Sequence, residues 1–294
     1  MSRMTTELGE LCIACQKPLA TEPWTVTAVA LYSCSGCGSL TAVPRPAEED
    51  QRTLHDRRDY FEHPYFDLRR QASLTASRCR QTFARIGRSL DVTKLRGARH
   101  LDVGCDTGTF LEAAAALYGT IPTGIDVSRR ATEGARARGI TAFCGSVADV
   151  DPATGSFDLI TAIDVIEHVS DPVGLLRAMR ARLSARGIVY VETPNISSVV
   201  YSLGRAIGWA PGTWSRRFRE RLFPAEHLQY FTNEGVCAVL ARSGLRVVNG
   251  KTRPLAASDL SVSATIRAAL VGLQLVDSVR GSHILHWVVA AADD

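Results

Sequence analysis

The residues with the clearest chemistry are cysteines. Cys12-Ile-Ala-Cys15 and Cys34-Ser-Gly-Cys37 are two C-x2-C pairs separated by residues 16–33. This is the spacing of a zinc ribbon. Each pair fits a tight turn that points two thiolates to one side of a tetrahedral ion, and Gly36 and Gly38 supply backbone freedom there. Four thiolates leave zinc no open position. Cys12, Cys15, Cys34 and Cys37 are therefore expected to hold a structural ion that supports the fold and does no chemistry. A redox role fits less well, because there are two pairs and no βαβ pattern around them. Cys79, Cys105, Cys144 and Cys237 lack pair spacing and read as small apolar residues.

A second constellation is the string Leu101-Asp102-Val103-Gly104-Cys105-Asp106-Thr107-Gly108-Thr109-Phe110-Leu111. It reads as a strand, a glycine turn and the start of a helix. Glycines let the backbone approach a ligand closely, and the helix N-terminus offers it N–H groups. A dinucleotide fingerprint would read G-x-G-x-x-G. Here the spacing is G-x-x-x-G, with Asp106 inside the turn and Asp102 two residues before it. An acid there repels a pyrophosphate but accepts from an ammonium. S-adenosylmethionine carries an ammonium and a sulfonium and no phosphate. Gly124-Ile125-Asp126 ends the following strand and places Asp126 to bond ribose hydroxyls. A third constellation is Asp164-Val165-Ile166-Glu167-His168, an acid-x-x-Glu-His run, with His227 further along.

These residues need a scaffold, and the pattern from Arg99 onward supplies one. Strands are expected at His100–Val103, Pro122–Val127, Ile140–Cys144, Phe157–Ile163 and Gly187–Glu192, then at Leu245–Gly250 and Ile284–Ala291. Helices are expected at Phe110–Leu117, Arg129–Arg138, Pro172–Leu183 and Asn233–Ser243. Repeated βα units imply a doubly wound α/β fold with helices on both faces of a parallel sheet. Residues 1–45 form the expected ribbon module, closed by Pro44-Arg45-Pro46, and Trp24 to Tyr32 is its connecting strand-like stretch. Residues 46–96 read as a helical linker or cap, broken at Pro64, with the aromatic cluster Tyr60, Phe61, Tyr65 and Phe66. Residues 97–294 are the main domain. Within it, 195–225 breaks the rhythm with Pro211, Trp209, Trp214 and the basic run Arg216 to Arg221, and reads as a lid insertion.

The motifs together resemble class I S-adenosylmethionine-dependent methyltransferases, a Rossmann-like family. Leu101 to Gly108 is similar to their first motif and Asp126 to their ribose acid. Cys144-Gly145-Ser146-Val147 is similar to the loop that contacts adenine, and Phe157-Asp158-Leu159-Ile160 through His168 to the fourth-strand motif. Glu226-His227-Leu228 to Phe231-Thr232 matches a later motif. The resemblance covers roughly residues 97–250. It implies cofactor contacts from Asp102, Gly104, Cys105, Gly108, Asp126, Val127, Ser146, Val147 and Asp164. The family usually has glycine where Asp106 stands: either aspartate tolerates the turn or cofactor affinity falls. A related Glu-x-x-Glu-His binds a divalent ion in ubiquinone-pathway and plant small-RNA O-methyltransferases. By that likeness Glu167, His168 and His227 would hold Mg2+ or Zn2+ on the substrate hydroxyls. In the alternative, Asp164 contacts the cofactor, and His168 and His227 act as bases or as structural hydrogen bonders. A ribbon joined to such a domain resembles a bacterial arrangement that includes natural-product, sugar and glycan methyltransferases.

Composition narrows the partners. The chain of 294 residues is 46% hydrophobic and 22% charged, which suits a globular protein with a real core. Its net charge is +4, and Lys17, Lys94 and Lys251 are its only lysines. Lys17 is the one basic side chain within residues 12–37, too little for a ribbon that grips a polyanion. The expected partner is thus a small molecule, carrier-bound or anionic, rather than RNA. An RNA-modifying enzyme and a binding-only relative disabled by Asp106 remain the competing classes. No run approaches the ~18–20 apolar residues that span a bilayer, and Met1 to Glu10 lacks a signal-peptide core. A cytoplasmic protein is expected, with no membrane partner. Arg216 to Arg221 reads as a solvated lid face or an anion clamp. His55, His63, His100, His283 and His286 belong to no constellation.

Overall fold

Residues 10–25, 30–45, 72–207, 220, 222–254, 264–280 and 282–293 are described by the structure, a computed structural model. Its centre is a seven-stranded sheet. The strands are β4 (Arg99–Val103), β5 (Ile121–Asp126), β6 (Thr141–Cys144), β7 (Phe157–Ile163), β8 (Leu183–Pro194), β10 (Leu245–Arg253) and β11 (Leu285–Ala292). They lie in the order β10-β11-β8-β7-β4-β5-β6. β6, β5, β4, β7 and β8 pair in parallel, whereas β11 runs antiparallel between β8 and β10. β4 pairs with β5 on one side and β7 on the other, so the strand order reverses there. Such a switch point opens a crevice at the carboxyl ends of the strands.

The expected α/β layering is therefore present, and its cause is strand composition. Leu101, Val103, Leu159, Ile160, Ala162, Val189 and Val191 are buried on both faces of the sheet, as parallel strands require. On one face α1 (Ala72–Ile86) packs Cys79, Phe83 and Ile86 against Leu159, Ile188, Tyr190 and Trp287. On the other face α4 (Pro172–Ala181) and α6 (Asn233–Arg242) set Leu176, Met179, Val236 and Leu240 against Val103, Ile160, Val189 and Val288. α2 (Thr109–Tyr118) and α3 (Arg129–Ala137) complete the βα repeats. The period of 2 along each strand puts His100, Asp102 and Thr161 on the α1 face.

The ribbon does not end at its own last strand. β1 (Trp24–Thr25), β2 (Ala30–Ser33) and β3 (Leu40–Ala42) form an antiparallel sheet that continues into β9 (Gln229–Tyr230). Leu40 faces Tyr230, and Thr41 faces Gln229. Cys12, Ala14, Cys34 and Cys37 share an apolar cluster with Phe231, Val236, Val239 and Leu240. Trp24 meets Phe223 edge-on at 4.5 Å, and Phe223 meets Tyr201 and Tyr230. Within the expected insertion 195–225, α5 (Val199–Ile207) carries Val200 and Tyr201 into this second core.

The strands β3 and β9 and the helices α5 and α7 (Ala264–Arg280) have no counterpart in the sequence expectation. β10 runs to Arg253 and not to Gly250, with an irregular register between Val247 and Asn249. Of the expected helical segment 46–96, residues 46–71 lie outside the described residues and the remainder holds α1 and a 3-10 turn at Val92–Leu95. His55, Tyr60, Phe61, His63, Pro64, Tyr65 and Phe66 lie outside the described residues, as do Trp209, Pro211, Trp214, Arg216 to Arg219 and Arg221. Among the described residues no helix is long and apolar enough to cross a membrane.

Candidate functional site

The two cysteine pairs fold as matching knuckles. The Gln16 amide donates to the Cys12 carbonyl at 2.9 Å, and the Gly38 amide to the Cys34 carbonyl at 3.1 Å. In the reverse sense, the Cys12 amide donates to Lys17 O and the Cys34 amide to Ser39 O, both at 2.8 Å. Gln16 and Gly38, each four residues after the first cysteine of its pair, have φ of 61° and 72°. The Gly36 amide points at Cys34 Sγ at 3.3 Å. A Cβ on Gly36 would sit 2.5 Å from Lys17 Cγ, so only glycine closes this turn. The result is a convergence of sulfurs. Cys15 Sγ is 3.3 Å from Cys34 Sγ, Cys12 Sγ is 3.8 Å from Cys37 Sγ, and all four lie within 4.8 Å of one another. All are thiols. The neighbouring Cys37 sulfur and burial push the Cys12 thiol far up. A divalent cation removes that penalty, because it deprotonates its thiol ligands. The donor set fits tetrahedral zinc.

The cofactor turn is built where β4 meets α2. Gly104 and Gly108 have φ of 72° and 77°, and Gly108 is the N-cap of α2. Asp106 also lies in the left-handed region, at φ 48°, one that aspartate tolerates better than most residues. The turn thus keeps a glycine-like shape without glycine at 106. The Asp106 amide donates to Asp126 Oδ2 at 3.0 Å, and the Ser128 amide donates to Asp126 Oδ1 at 2.9 Å. Each carboxylate oxygen can accept a second donor. The Gly145 amide donates to the Asp126 carbonyl, which brings the 144–147 loop beside Asp126. There Ser146 N and Oγ bond Asp149, while Val147 is buried and Val127 exposed. Cys105 is buried against Gly124, where any Cβ would stand 2.6 Å from its sulfur. The expected cofactor residues from Asp102 to Val147 therefore gather at the carboxyl ends of β4, β5 and β6. Their chemistry suits S-adenosylmethionine: a buried acid for an ammonium and a second acid for a diol.

The third constellation stands next to this turn. A Cβ on Gly104 would be 2.6 Å from Val165, so the turns after β4 and β7 touch. Glu167 is wholly buried, and its Oε2 accepts from Thr193 Oγ1 at 2.9 Å. The His168 Nδ1 lies 3.1 Å from the Glu226 carbonyl. A carbonyl only accepts, so Nδ1 carries a proton. The His227 ring stands edge-on to His168 at 4.5 Å. Burial pushes His227 down to about 3, which keeps it neutral. Glu167, His168 and His227 bring one ligand atom each within 4.8 Å of one another. Asp164 stands outside that group, at φ 56° and 3.8 Å from Arg78 of α1. One carboxylate and two imidazoles fit a divalent ion with open positions.

Some residues near the site carried no sequence signal. Glu192 is buried and held by Arg253, with Arg85 at 3.7 Å and the Tyr190 hydroxyl donating at 2.7 Å. The registers of β8 and β10 against β11 bring Glu192 and Arg253 together, and α1 adds Arg85. Thr161 donates to Asp102 Oδ1 at 2.5 Å, and His100 Nε2 lies 2.9 Å from the Thr161 hydroxyl. Burial pushes His100 down to about 3.

The fold and the site define a class I methyltransferase architecture. Residues 68–249, more than half of the chain, match the family model described as a methyltransferase domain. The chain belongs to that family. A curated relative from Xanthomonas oryzae pv. oryzae, a ubiquinone biosynthesis O-methyltransferase, is 35% identical over 116 residues, or 37% of this chain and 48% of the relative. The chain thus spans about half the length of such relatives. The protein of the same name from Idiomarina loihiensis is 30% identical over 187 residues, covering 58% of this chain and 74% of that one. Among solved structures, magnesium protoporphyrin IX methyltransferase from Synechocystis PCC 6803, with bound S-adenosylhomocysteine, aligns with a TM-score of 0.53. It is 13% identical and covers 83% of this chain and 100% of that one, a likeness of fold alone.

Proposed function

We propose that this chain transfers the methyl group of S-adenosylmethionine to a hydroxyl of a small molecule of the natural-product or sugar type, free or carrier-bound. The observation that carries the reading is the Glu167, His168 and His227 cluster, which abuts the glycine turn through Val165 and Gly104. The relatives named O-methyltransferases support an oxygen acceptor. The sulfonium of the bound cofactor supplies an electrophilic methyl group, so the protein's task is alignment and proton removal. Asp102, Gly104, Cys105, Gly108 and Asp164 would seat the amino-acid end, and Asp126, Val127, Ser146 and Val147 the nucleoside. Either a hydroxyl above the cluster gives its proton to an imidazole of His168 or His227 acting as base, or Glu167, His168 and His227 would hold a divalent ion that lowers that hydroxyl's pKa, the imidazoles then being ligands and not bases. Zinc on Cys12, Cys15, Cys34 and Cys37 would be structural. Residues 1–45, 46–96 and 97–294, with a lid at 195–225, are the working division into domains. The composition suits a cytoplasmic enzyme.

The test is methyl transfer from radiolabelled S-adenosylmethionine to a panel of hydroxylated acceptors, with S-adenosylhomocysteine binding measured in parallel. Cofactor binding with transfer to at least one hydroxyl, abolished in His227→Ala, supports the reading. Cofactor binding with transfer only to nitrogen or carbon acceptors overturns the oxygen assignment. Wild-type protein without cofactor affinity overturns the whole reading.

A further inference from the structure

His100 and Thr161 make an unusual arrangement beneath the cofactor turn. In the parallel pairing of β4 and β7, Asp102 is level with Thr161 and His100 with Leu159. All three polar residues are buried. The proton count allows one assignment. A carboxylate only accepts, so the single Thr161 hydroxyl proton goes to Asp102 Oδ1. The Thr161 oxygen then accepts from His100, whose proton must sit on Nε2. His100 Nδ1 is left bare, buried and without a hydrogen-bond partner among the described residues. The ring is wedged edge-on between Phe83 and Phe110, each 6.1 Å away, so it has one seat. An unsatisfied buried acceptor is destabilising. Apolar side chains such as Leu159 and Ile188 fill the same face at no such cost.

We propose that His100 and Thr161 are positioning residues for the amino-acid end of the cofactor. Together they lock one edge of the Asp102 carboxylate, so that it meets the cofactor's ammonium in one orientation. The inference rests on the methyltransferase reading above. It extends Asp102 into a three-residue relay in which His100 orients Thr161 and Thr161 orients Asp102.

The experiment compares two ligands by calorimetry on the full chain. S-adenosylhomocysteine carries the amino-acid arm, and 5′-methylthioadenosine lacks it. In Thr161→Val, S-adenosylhomocysteine should bind about tenfold more weakly, while 5′-methylthioadenosine stays within about twofold of wild type. Thr161→Ser keeps the hydroxyl and should stay within about threefold for both. His100→Phe fills the ring's space without the donor and should show the same selective loss, smaller in size. Should Thr161→Val not fold, His100→Phe carries the comparison alone. Equal weakening of both ligands, or unchanged S-adenosylhomocysteine affinity, overturns the relay. Wild-type protein that binds neither ligand overturns the cofactor reading itself, and the relay with it.

Discussion

Among the described residues two clusters carry the donors of a metal site, and they differ in the respects that decide a metal's role. The ribbon offers four sulfurs from two short turns close in sequence. The other cluster offers a carboxylate and two imidazoles drawn from the end of β7 and from residue 227, some sixty residues apart. Four thiolates close a tetrahedron, whereas three mixed donors leave positions for substrate. On the proposed function, the first would hold the fold and the second would act. Yet they are mechanically joined. The Ala42 amide donates to the Leu228 carbonyl, while the Leu228 and Gln229 amides donate to the Glu167 carbonyl. Thr232 donates to the Cys37 carbonyl at 2.6 Å and caps α6 through the Gly235 amide. Residues 228–232, which contain β9, thus link the ribbon to the mount of His227.

This contrast can be broken most forcefully at the ribbon. Cys34→Ser should release the zinc and lower the Tm by on the order of 10 °C, since loss of a structural metal is among the few single changes costing more than about 4 kcal/mol. Differential scanning calorimetry with metal analysis reads both. A stable, zinc-free variant with full activity would mean that the ribbon does not mount the second cluster. Glu167→Gln should instead spare the zinc and the S-adenosylhomocysteine affinity, and cut methyl transfer on the order of 10²-fold or more. Equal loss of cofactor affinity would show that Glu167 belongs to the cofactor site. Asp126→Ala removes a charged acceptor for a diol, and should weaken S-adenosylhomocysteine by roughly ten- to a hundredfold in calorimetry.

Smaller effects sharpen the picture. Burial holds His100 and His286 down to about 3 and about 4, from an ordinary 6.5. The unfolded chain therefore takes up protons first as the pH drops. Their contribution is fully present above pH 6.5 and is lost on acidification toward pH 3–4, at up to about 1.4 kcal/mol per pH unit for each histidine. Denaturant melts between pH 7 and 4.5 should show this slope, and His286→Phe should reduce it. Last, Asp106→Gly should change S-adenosylhomocysteine affinity by less than about threefold, because aspartate already holds the left-handed turn. A large gain would mean that Asp106 does impair the site.

What could be read from the sequence followed the range of the interaction. The apolar runs of β7 and β8 announced the sheet, since full burial needs nothing but hydrophobic side chains. The C-x2-C pairs and the G-x-x-x-G turn are local, and their shape follows from a few consecutive residues. β9 has only two residues and exists because β3 pairs with it, so no local pattern marks it. α7 leaves Leu275, Val276 and Val279 exposed, which blurs its apolar stripe. The link between His100, Thr161 and Asp102 depends on the register of β4 against β7, and the ion pair of Glu192 with Arg253 on the pairing of β8, β11 and β10. Sequence spacing carries neither. His100 therefore belongs to no constellation in the sequence, and strand register alone gives it its partner.

The most direct measurement is native mass spectrometry of the full chain, with S-adenosylhomocysteine and a divalent ion added. The account predicts one tightly held zinc and one S-adenosylhomocysteine per chain. It further predicts a second, exchangeable divalent ion that disappears in His227→Ala while the zinc remains. A chain that carries no zinc and retains no S-adenosylhomocysteine would contradict it.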